Sequence, residues 1–266
     1  MVNRANIEKL TRRWWFYLLI LVILFIPSYT TKALNPQDTP KLVQQVLSNP
    51  LIYQFQWLFV LSKLITIALV AAVFLSGKFV TRYRIFSTYV VILLLAIAIF
   101  QNAAITSDYG FAVLTGNLIV MTIVALFWVW ELIVCKNDFT FKKTTRWNWW
   151  VVPMAFLSFW FPVNATTGVP IPDFSPMYLV NNGSVLSFCM IVPVILAIVI
   201  LFYPTVNLAT LRVTSFVGLL IGVLNMISWF GINPLAWWMG VLHIPLVLIS
   251  LYVFIISLKS QPIQSL

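Results

Sequence analysis

The chain has very few charged residues for its length. Only 8% of its 266 residues are Asp, Glu, Lys or Arg, and just 6 of these are acidic. Hydrophobic residues make up 62% of the chain, and the mean hydropathy is +1.00. A soluble domain of this size cannot bury so much apolar surface. The composition therefore excludes a soluble globular class and predicts an integral membrane protein that has the lipid bilayer around it.

Residue types that build common catalytic and metal sites are also scarce. The chain has 1 histidine, His243, and 2 cysteines, Cys135 and Cys189. These numbers exclude a disulfide framework and a His-rich metal site, and the sequence has no Gly-rich phosphate loop or nucleophile elbow. We therefore expect no metal, no cofactor and no complete catalytic set, so that an enzyme is the less favoured class. The net charge of +10 does not indicate nucleic acid, because the basic residues follow membrane topology.

Long apolar runs divide the chain into segments that can cross a bilayer. A membrane-spanning helix needs about 20 mainly apolar residues. By that criterion the sequence predicts an all-α membrane protein with a single polytopic domain, residues 1–266, and eight transmembrane helices. The predicted helices cover residues 14–33, 51–76, 85–106, 111–134, 147–163, 184–204, 213–230 and 235–258.

The basic residues between these helices predict the orientation of the chain. Lys and Arg are enriched in cytoplasmic loops of membrane proteins. With the loops assigned alternately to two sides, thirteen of these residues fall on one side, and only Lys32 and Lys41 fall on the other. We therefore expect a multi-pass protein of the cell membrane with both termini in the cytoplasm.

Two stretches of the sequence resemble one another at a constant spacing. Trp14, Trp15, Pro27 and Asp38 each match the same residue type 135 positions later, at Trp149, Trp150, Pro162 and Asp173. Such spacing is the mark of an internal repeat. Four helices per repeat is an even number, so the halves, residues 1–143 and 144–266, would form a parallel 4+4 duplication. The alternative is that unrelated membrane helices share Trp and Pro at their ends.

Two further patterns predict local packing. Residues 39–48 begin with a Thr-Pro pair and place apolar residues on one face, which predicts a short amphipathic helix lying on the outer surface. Gly218 and Gly222 form a GxxxG motif, which allows close approach of another helix and offers a surface for a membrane protein partner.

Polar residues inside the apolar runs are the candidates for function. Intramembrane polar groups are costly and usually face the interior of a bundle or a water-filled cavity. Most of these residues lie within about 15 Å of the predicted outer surface, which predicts an outward-facing vestibule. The candidate ligand-binding residues are Gln56, Lys63, Asn102, Asn117, Asp173, Asn225 and His243. The alternative role for each amide is a hydrogen bond that joins two helices, and His243 can equally be a packing residue.

Lys63 is the most unusual of these candidates. In a helix that begins near Leu51 it would lie about 18 Å from the outer end, at mid-bilayer. A charged lysine there costs at least about 2.5–3.5 kcal/mol. The hypothesis is that Lys63, with Gln56 above it, forms the floor of the vestibule and holds an anionic or carbonyl group of a ligand. A neutral or paired structural lysine is the alternative.

Two other charged residues sit near the ends of predicted helices on the cytoplasmic side. Glu131 is near the end of the fourth, and Arg212 immediately precedes the seventh. The sequence predicts a boundary residue at Glu131 and a lipid-phosphate anchor at Arg212.

Three functions remain open from the sequence. The preferred one is binding or transport of a small solute or a lipid-soluble ligand through the vestibule. The second is a non-catalytic membrane subunit that anchors or assembles a larger complex. The third is a membrane enzyme acting on lipid, with Asp108, Asp173 and His243 at the outer boundary.

Overall fold

The fold is known from a computed structural model that describes residues 4–75, 79–139, 147–164 and 169–259. The helices are α1 Arg4–Leu10, α2 Trp14–Leu24, α3 Thr39–Ser48, α4 Trp57–Leu75, α5 Phe79–Ala96, α6 Thr115–Val134, α7 Val151–Trp160, α8 Phe188–Ile200, α9 Leu208–Met226 and α10 Trp237–Lys259. The strands are β1 Tyr29–Thr30, β2 Ala103–Thr106, β3 Gly110–Val113, β4 Val163–Asn164 and β5 Ile171–Pro172. Four residues used in the orientation and repeat predictions lie outside the described ranges, namely Lys78, Lys142, Lys143 and Arg146.

The protein is a multi-pass helical membrane protein. Within the described ranges, five helices are long and apolar enough to cross a membrane: α4, α5, α6, α9 and α10. A sixth crossing is formed if the bent pair Pro176–Leu186 and Phe188–Ile200 counts as one span. α2 and α7 are apolar but have only 11 and 10 residues. Each rises about 16 Å, roughly half of a hydrocarbon core of about 30 Å. The predicted number of eight spans therefore stays a prediction.

Several predicted helices are shorter in the structure because their ends take other conformations. The predicted helix 51–76 begins with a separate 3-10 turn, Leu51–Gln54, and α4 starts only at Trp57. The predicted helix 85–106 ends before β2, and the predicted helix 111–134 begins after β3. Apolar runs alone do not separate a helix from a buried strand, and here β2 and β3 pair as an antiparallel hairpin.

A small sheet lies at the end of the bundle where α6 begins. Its strand order is β1-β3-β2, and we call this end of the molecule the sheet end. The predicted amphipathic helix is α3, but it does not lie free on a surface. Its buried residues Leu42 and Val46 pack against Ala104 and Ala112 of the sheet, so that its apolar face is covered by protein.

At the centre of the bundle is α8. All of its residues are buried, and it packs against α7, α9 and α10. A helix that is apolar on every side has no face for water, so its sequence, FCMIVPVILAIVI, is that of a core element. α7, α9 and α10 therefore pack around a short helix that is buried along its whole length.

Two long helices change to π-helical geometry before they end at the sheet end. α5 continues into the π-helix Ile97–Gln101, and α9 continues into the π-helix Ile227–Ile232. Such segments are rare and frequently occur at functional sites. Both lie close in the chain to predicted site residues, which makes their surroundings the place to look for function.

Glycines set the closest helix contacts. A Cβ at Gly218 would lie 2.5 Å from Ser250 Oγ, and one at Gly222 would lie 2.8 Å from Val247 Cγ2, so the GxxxG face packs against α10 of the same chain. A partner protein that used this face would first have to displace α10. A Cβ at Gly116 would lie 2.2 Å from the carbonyl oxygen of Leu24, which brings the end of α2 against the start of α6.

Candidate functional site

A sharp break precedes α8 and is the most irregular part of the bundle. The segment Pro176–Leu186 meets α8 at an angle of 98°, and we call residues 176–187 the break segment. The local sequence explains the bend. Ser175 Oγ accepts from the N–H of Met177 at 3.4 Å, and Asn182 Oδ1 accepts from the N–H of Ser184 at 3.1 Å, which starts two separate 3-10 turns.

Lys63 holds the break segment against α7. Its Nζ donates to the backbone oxygens of Phe159, at 2.5 Å, and of Tyr178, at 2.7 Å. It also lies 4.4 Å from the centroid of the Phe159 ring, which is within the range of a cation–π contact. The side chain has no exposed surface. The amine therefore supplies donors to carbonyls where α7 ends and where the 3-10 turn Pro176–Leu179 ends.

Lys63 lies closer to the start of its helix than the sequence predicted, because α4 starts later than expected. Lys63 is six residues after Trp57, the first residue of α4, so it lies about 9 Å along the helix from that end. Gln56 precedes α4 and is exposed. The two residues therefore do not share one helical face, and the predicted arrangement of Gln56 above Lys63 is corrected by the start of α4.

Asp173 and Lys63 both form hydrogen bonds with Tyr178. Asp173 Oδ2 accepts from the hydroxyl of Tyr178 at 2.9 Å, and Asp173 Oδ1 accepts from the N–H of Ser175 at 3.1 Å. Lys63 binds the backbone oxygen of that same Tyr178. Two predicted site residues thus belong to one network, and both of them fix the shape of the break segment.

Gln101 reaches the other side of the break. It is the last residue of the π-helix after α5, and its Oε1 accepts from the N–H of Phe188 at 3.0 Å. Phe188 is the first residue of α8, so Gln101 satisfies one of the backbone donors that an isolated helix N-terminus leaves unpaired. Gln101 is not among the site residues predicted from the sequence, since its partner Phe188 is 87 residues away in the chain.

A third group of polar residues lies beside the start of α8. Asn225 Nδ2 is 3.6 Å from Cys189 Sγ, and Asn225 Oδ1 accepts from Trp229 Nε1 at 3.2 Å. The Trp229 ring lies 6.4 Å from that of His243, centroid to centroid. His243 Nδ1 bonds to the backbone oxygen of Met239 at 2.6 Å. Asn225 and His243 are therefore brought together through the π-helix that follows α9.

Asn102 and Asn117 are not part of these groups. Asn102 is fully buried, and its Nδ2 donates to the oxygen of Ala98 at 3.0 Å and to Met121 Sδ at 3.1 Å. Its Oδ1 has no hydrogen-bond partner among the described residues. Asn117 is half-buried near the start of α6. The bonds of Asn102 thus lie within the α5–α6 region, and the single vestibule stays a prediction.

The residues of the predicted lipid enzyme are held in separate networks. Asp108 forms an ion pair with Lys41 at 2.7 Å on the surface of the sheet end. Hydrogen bonds from Lys41, Gln45 and Ser107 lower the pKa of Asp108 to about 2. This carboxylate is therefore ionised at neutral pH and bound to α3, whereas Asp173 is bound to Tyr178 and His243 to Met239.

Glu131 is buried, which the sequence did not predict. Its Oε1 accepts from the backbone N–H groups of Lys136 at 3.0 Å and Asn137 at 2.8 Å, and its Oε2 accepts from Asn207 Nδ2. Asn207 also caps the start of α9 through its Oδ1, which accepts from the N–H of Ala209 at 3.1 Å. The carboxylate therefore ties the end of α6 to the start of α9, at the end of the bundle opposite the sheet.

Arg212 is also buried, and its predicted role as a lipid anchor is replaced by internal bonds. Its Nε donates to the oxygen of Ser257 at 3.1 Å, and its Nη1 donates to Thr11 Oγ1 at 2.6 Å. Thr11 lies in the short connection between α1 and α2, so Arg212 joins this connection to α10. The signal available in the sequence was an arginine beside a run of apolar and small residues, which is compatible with either a surface or a core position.

Comparison with known proteins gives no family for this chain: no protein-family model, curated protein or solved structure matches it. In the part of the chain that the structure describes, no three His, Cys, Asp or Glu residues are grouped as a metal site. The function has to be argued from the break segment and its neighbours.

Proposed function

We propose that this protein binds a small solute or a lipid-soluble ligand at the break segment and moves it across the membrane. The proposal rests on one observation. The break segment and α8 form a bent pair, and residues at or beside two π-helices contact the start of α8. Broken helices inside membrane bundles are typical of transporters, where backbone groups freed by the break line the binding site. Gln101 at one π-helix and Asn225 beside the other contact the first turn of α8.

The chemistry of this region fits a ligand with both polar and apolar parts. Amide groups of Gln101 and Asn225 can donate and accept hydrogen bonds, and the rings of Trp229 and His243 offer flat apolar surface. Side chains that now bond to the break segment would exchange these bonds for bonds to the ligand. The energetic cost of opening the segment is then partly offset by ligand contacts.

The proposal includes an orientation in the cell membrane. The sheet end faces outward, and the end that holds Glu131 and Arg212 faces the cytoplasm with both termini. The excess of Lys and Arg in the loops at the end that holds Glu131 and Arg212 supports this orientation.

Reporter fusions test the orientation. A fusion after Lys143 should be active with a cytoplasmic reporter, and a fusion after Asp173 should be active with an external one, because α7 separates them. The measurement is the activity of paired reporters in whole cells. Reporters on one and the same side would contradict the proposed orientation.

We further propose a parallel duplication of halves 1–143 and 144–266. The order of elements supports it: each half has a short apolar helix, α2 or α7, and later a long helix, α5 or α9, that ends in a π-helix. The final long helix of each half, α6 or α10, follows that π-helix. Backbone superposition of α2–α6 on α7–α10 about an axis along the membrane normal is the test.

Cys189 gives a direct test of opening at the break. It is the second residue of α8 and is only 9% exposed. If the break segment opens to water, a charged methanethiosulfonate reagent should modify Cys189 in a Cys135→Ser background during incubation of the folded protein in vesicles. Mass spectrometry of the intact protein measures the modified fraction.

The controls separate opening from unfolding. A Cys135→Ser, Cys189→Ser double variant should remain unmodified, and Cys135→Ser protein unfolded in detergent should be modified completely. Protein that stays unmodified while folded, yet reacts after unfolding, would contradict an opening break and would favour the second function below.

A permanently packed membrane subunit is the second candidate. It is favoured by one specific observation: Lys63, Asp173 and His243 all bond to groups within the chain. Such satisfied networks stabilise a single packed state. Co-purification of a stoichiometric partner in mild detergent, together with an unreactive Cys189, would establish this role.

A further inference from the structure

The amine of Lys63 occupies a position that has the features of a cation-binding site. Two backbone oxygens, of Phe159 and Tyr178, converge on Nζ at 2.5 and 2.7 Å. The face of the Phe159 ring lies 4.4 Å away. Backbone oxygens and an aromatic face are the groups that hold an ammonium ion in proteins.

The two oxygens are negative for a structural reason. Phe159 lies in the last turn of α7, and Tyr178 lies in the 3-10 turn Pro176–Leu179. The last carbonyls of a helix have no partner within it and carry the negative end of the helix dipole. Inside a membrane such oxygens require donors, since no lipid chain provides one. Phe159 O also accepts from Ser184 Oγ at 2.8 Å, and Lys63 donates to Tyr178 O.

Among the residues that the structure describes, no carboxylate forms an ion pair with the amine. The ion pairs of Asp108 and Glu8 involve other lysines, Lys41 and Lys136. Asp173 joins the network only through the hydroxyl of Tyr178. The attraction for a positive charge therefore comes from backbone oxygens and one aromatic ring, which is the kind of site that takes a single charge.

We infer that Phe159 O, Tyr178 O and the Phe159 ring form a binding site for a small ammonium-type cation, and that the chain fills this site with its own side chain. In transporters with broken helices, unwound backbone carbonyls coordinate the coupling ion from solution. Here the tethered amine of Lys63 supplies the cation instead. The inference concerns the site itself and holds whether or not the break segment conducts a solute.

Shortening the side chain should expose the site to free cations. Lys63→Ala removes three methylenes and the amine, which together have the size of a propylammonium ion. The variant should be less stable than the natural protein, and propylammonium or ammonium should restore part of the loss by binding the vacated oxygens.

The measurement is the thermal unfolding midpoint in detergent, with every protein in the Cys135→Ser background, followed with a thiol-reactive dye that reports exposure of Cys189. For a site with Kd of about 10 mM, 100 mM propylammonium chloride should raise the midpoint of Lys63→Ala by about 3–5 °C relative to choline chloride. Choline has the same charge but no N–H group, so it controls for ionic strength and tests for donors to the two oxygens.

Two matched variants complete the experiment. Lys63→Met lacks the charge but fills most of the space, so it should show no difference between the salts. Lys41→Ala removes an exposed lysine from an ion pair at the sheet end and should also show none. The natural protein should not respond, because its own amine occupies the site.

The inference would be overturned by a folded Lys63→Ala protein whose midpoint is the same in all salts. It would also be overturned if the natural protein and Lys41→Ala responded equally. If Lys63→Ala cannot be purified in choline, purification in propylammonium decides: recovery of monodisperse protein only with propylammonium supports the site, and failure in both salts contradicts it. Reactivity of Cys189 in the natural protein is a separate measurement, so failure of the proposed transport function does not decide this result.

Discussion

Glu131→Leu is expected to be the most destabilising single substitution in the bundle. The carboxylate accepts from Asn137 N–H and Asn207 Nδ2, and both of these residues are buried. Leucine would leave two buried donors unpaired, at about 1–3 kcal/mol for each. We therefore expect the free energy of unfolding to fall by about 2–6 kcal/mol, with loosening of the contact between α6 and α9.

Glu131→Gln is the matched control, because its amide oxygen can still accept from the two backbone N–H groups. Its NH2 group would meet the NH2 group of Asn207, so some loss should remain. The order of unfolding midpoints in detergent should be natural protein, then Glu131→Gln, then Glu131→Leu. A Glu131→Leu protein as stable as the natural one would show that the carboxylate does not hold this end together.

Lys63→Met is the second substitution with a large expected effect. It removes the donor to Tyr178 O, whereas Phe159 O keeps a hydrogen bond from Ser184 Oγ at 2.8 Å. One orphaned buried oxygen costs about 1–3 kcal/mol. Against this, methionine avoids the cost of burying a charge, which is at least about 2.5–3.5 kcal/mol at the centre of a bilayer and less near its edge. Because these two contributions largely cancel, we expect the free energy of unfolding to change by less than about 1 kcal/mol.

The local effect of Lys63→Met should exceed its effect on stability. Without the amine, the break segment loses its bond to α4, so Cys189 in the Cys135→Ser background should react about 10-fold faster with a methanethiosulfonate reagent, the shift that about 1.4 kcal/mol produces in an opening equilibrium. Lys41→Met, at an exposed ion pair, is the control and should leave this rate unchanged. Equal rates in the Lys63→Met and natural proteins would mean that Lys63 does not hold the break closed.

The sequence suffices for the class of the protein and for the approximate place of most long helices. α6, α9 and α10 lie within or close to the predicted ranges, because each has a high mean hydropathy over at least 18 residues. Helix ends were less predictable. Most residues of β2 and β3, and of the segment that precedes α4, are apolar too. Hydropathy does not distinguish the conformations of these segments from a helix.

The candidate site was only partly predictable for a different reason. Polar residues in apolar runs could be recognised one at a time, but their partners are distant in the chain. Gln101 bonds to Phe188, and Glu131 bonds to Asn207, over 87 and 76 residues. No local pattern encodes such pairs, so the sequence could not show which polar residues bond to one another.

By itself the sequence determined that this chain is a multi-pass helical membrane protein, since the transfer of apolar residues into lipid depends on composition and run length alone. The tertiary structure decided the roles of Lys63, Glu131 and Arg212. Each of these residues is charged and fully buried, and each bonds to backbone groups at helix ends or connecting turns. Because a buried charge is stable only where donors and acceptors converge on it, its role depends on which helix ends meet, and that is a property of the packed bundle.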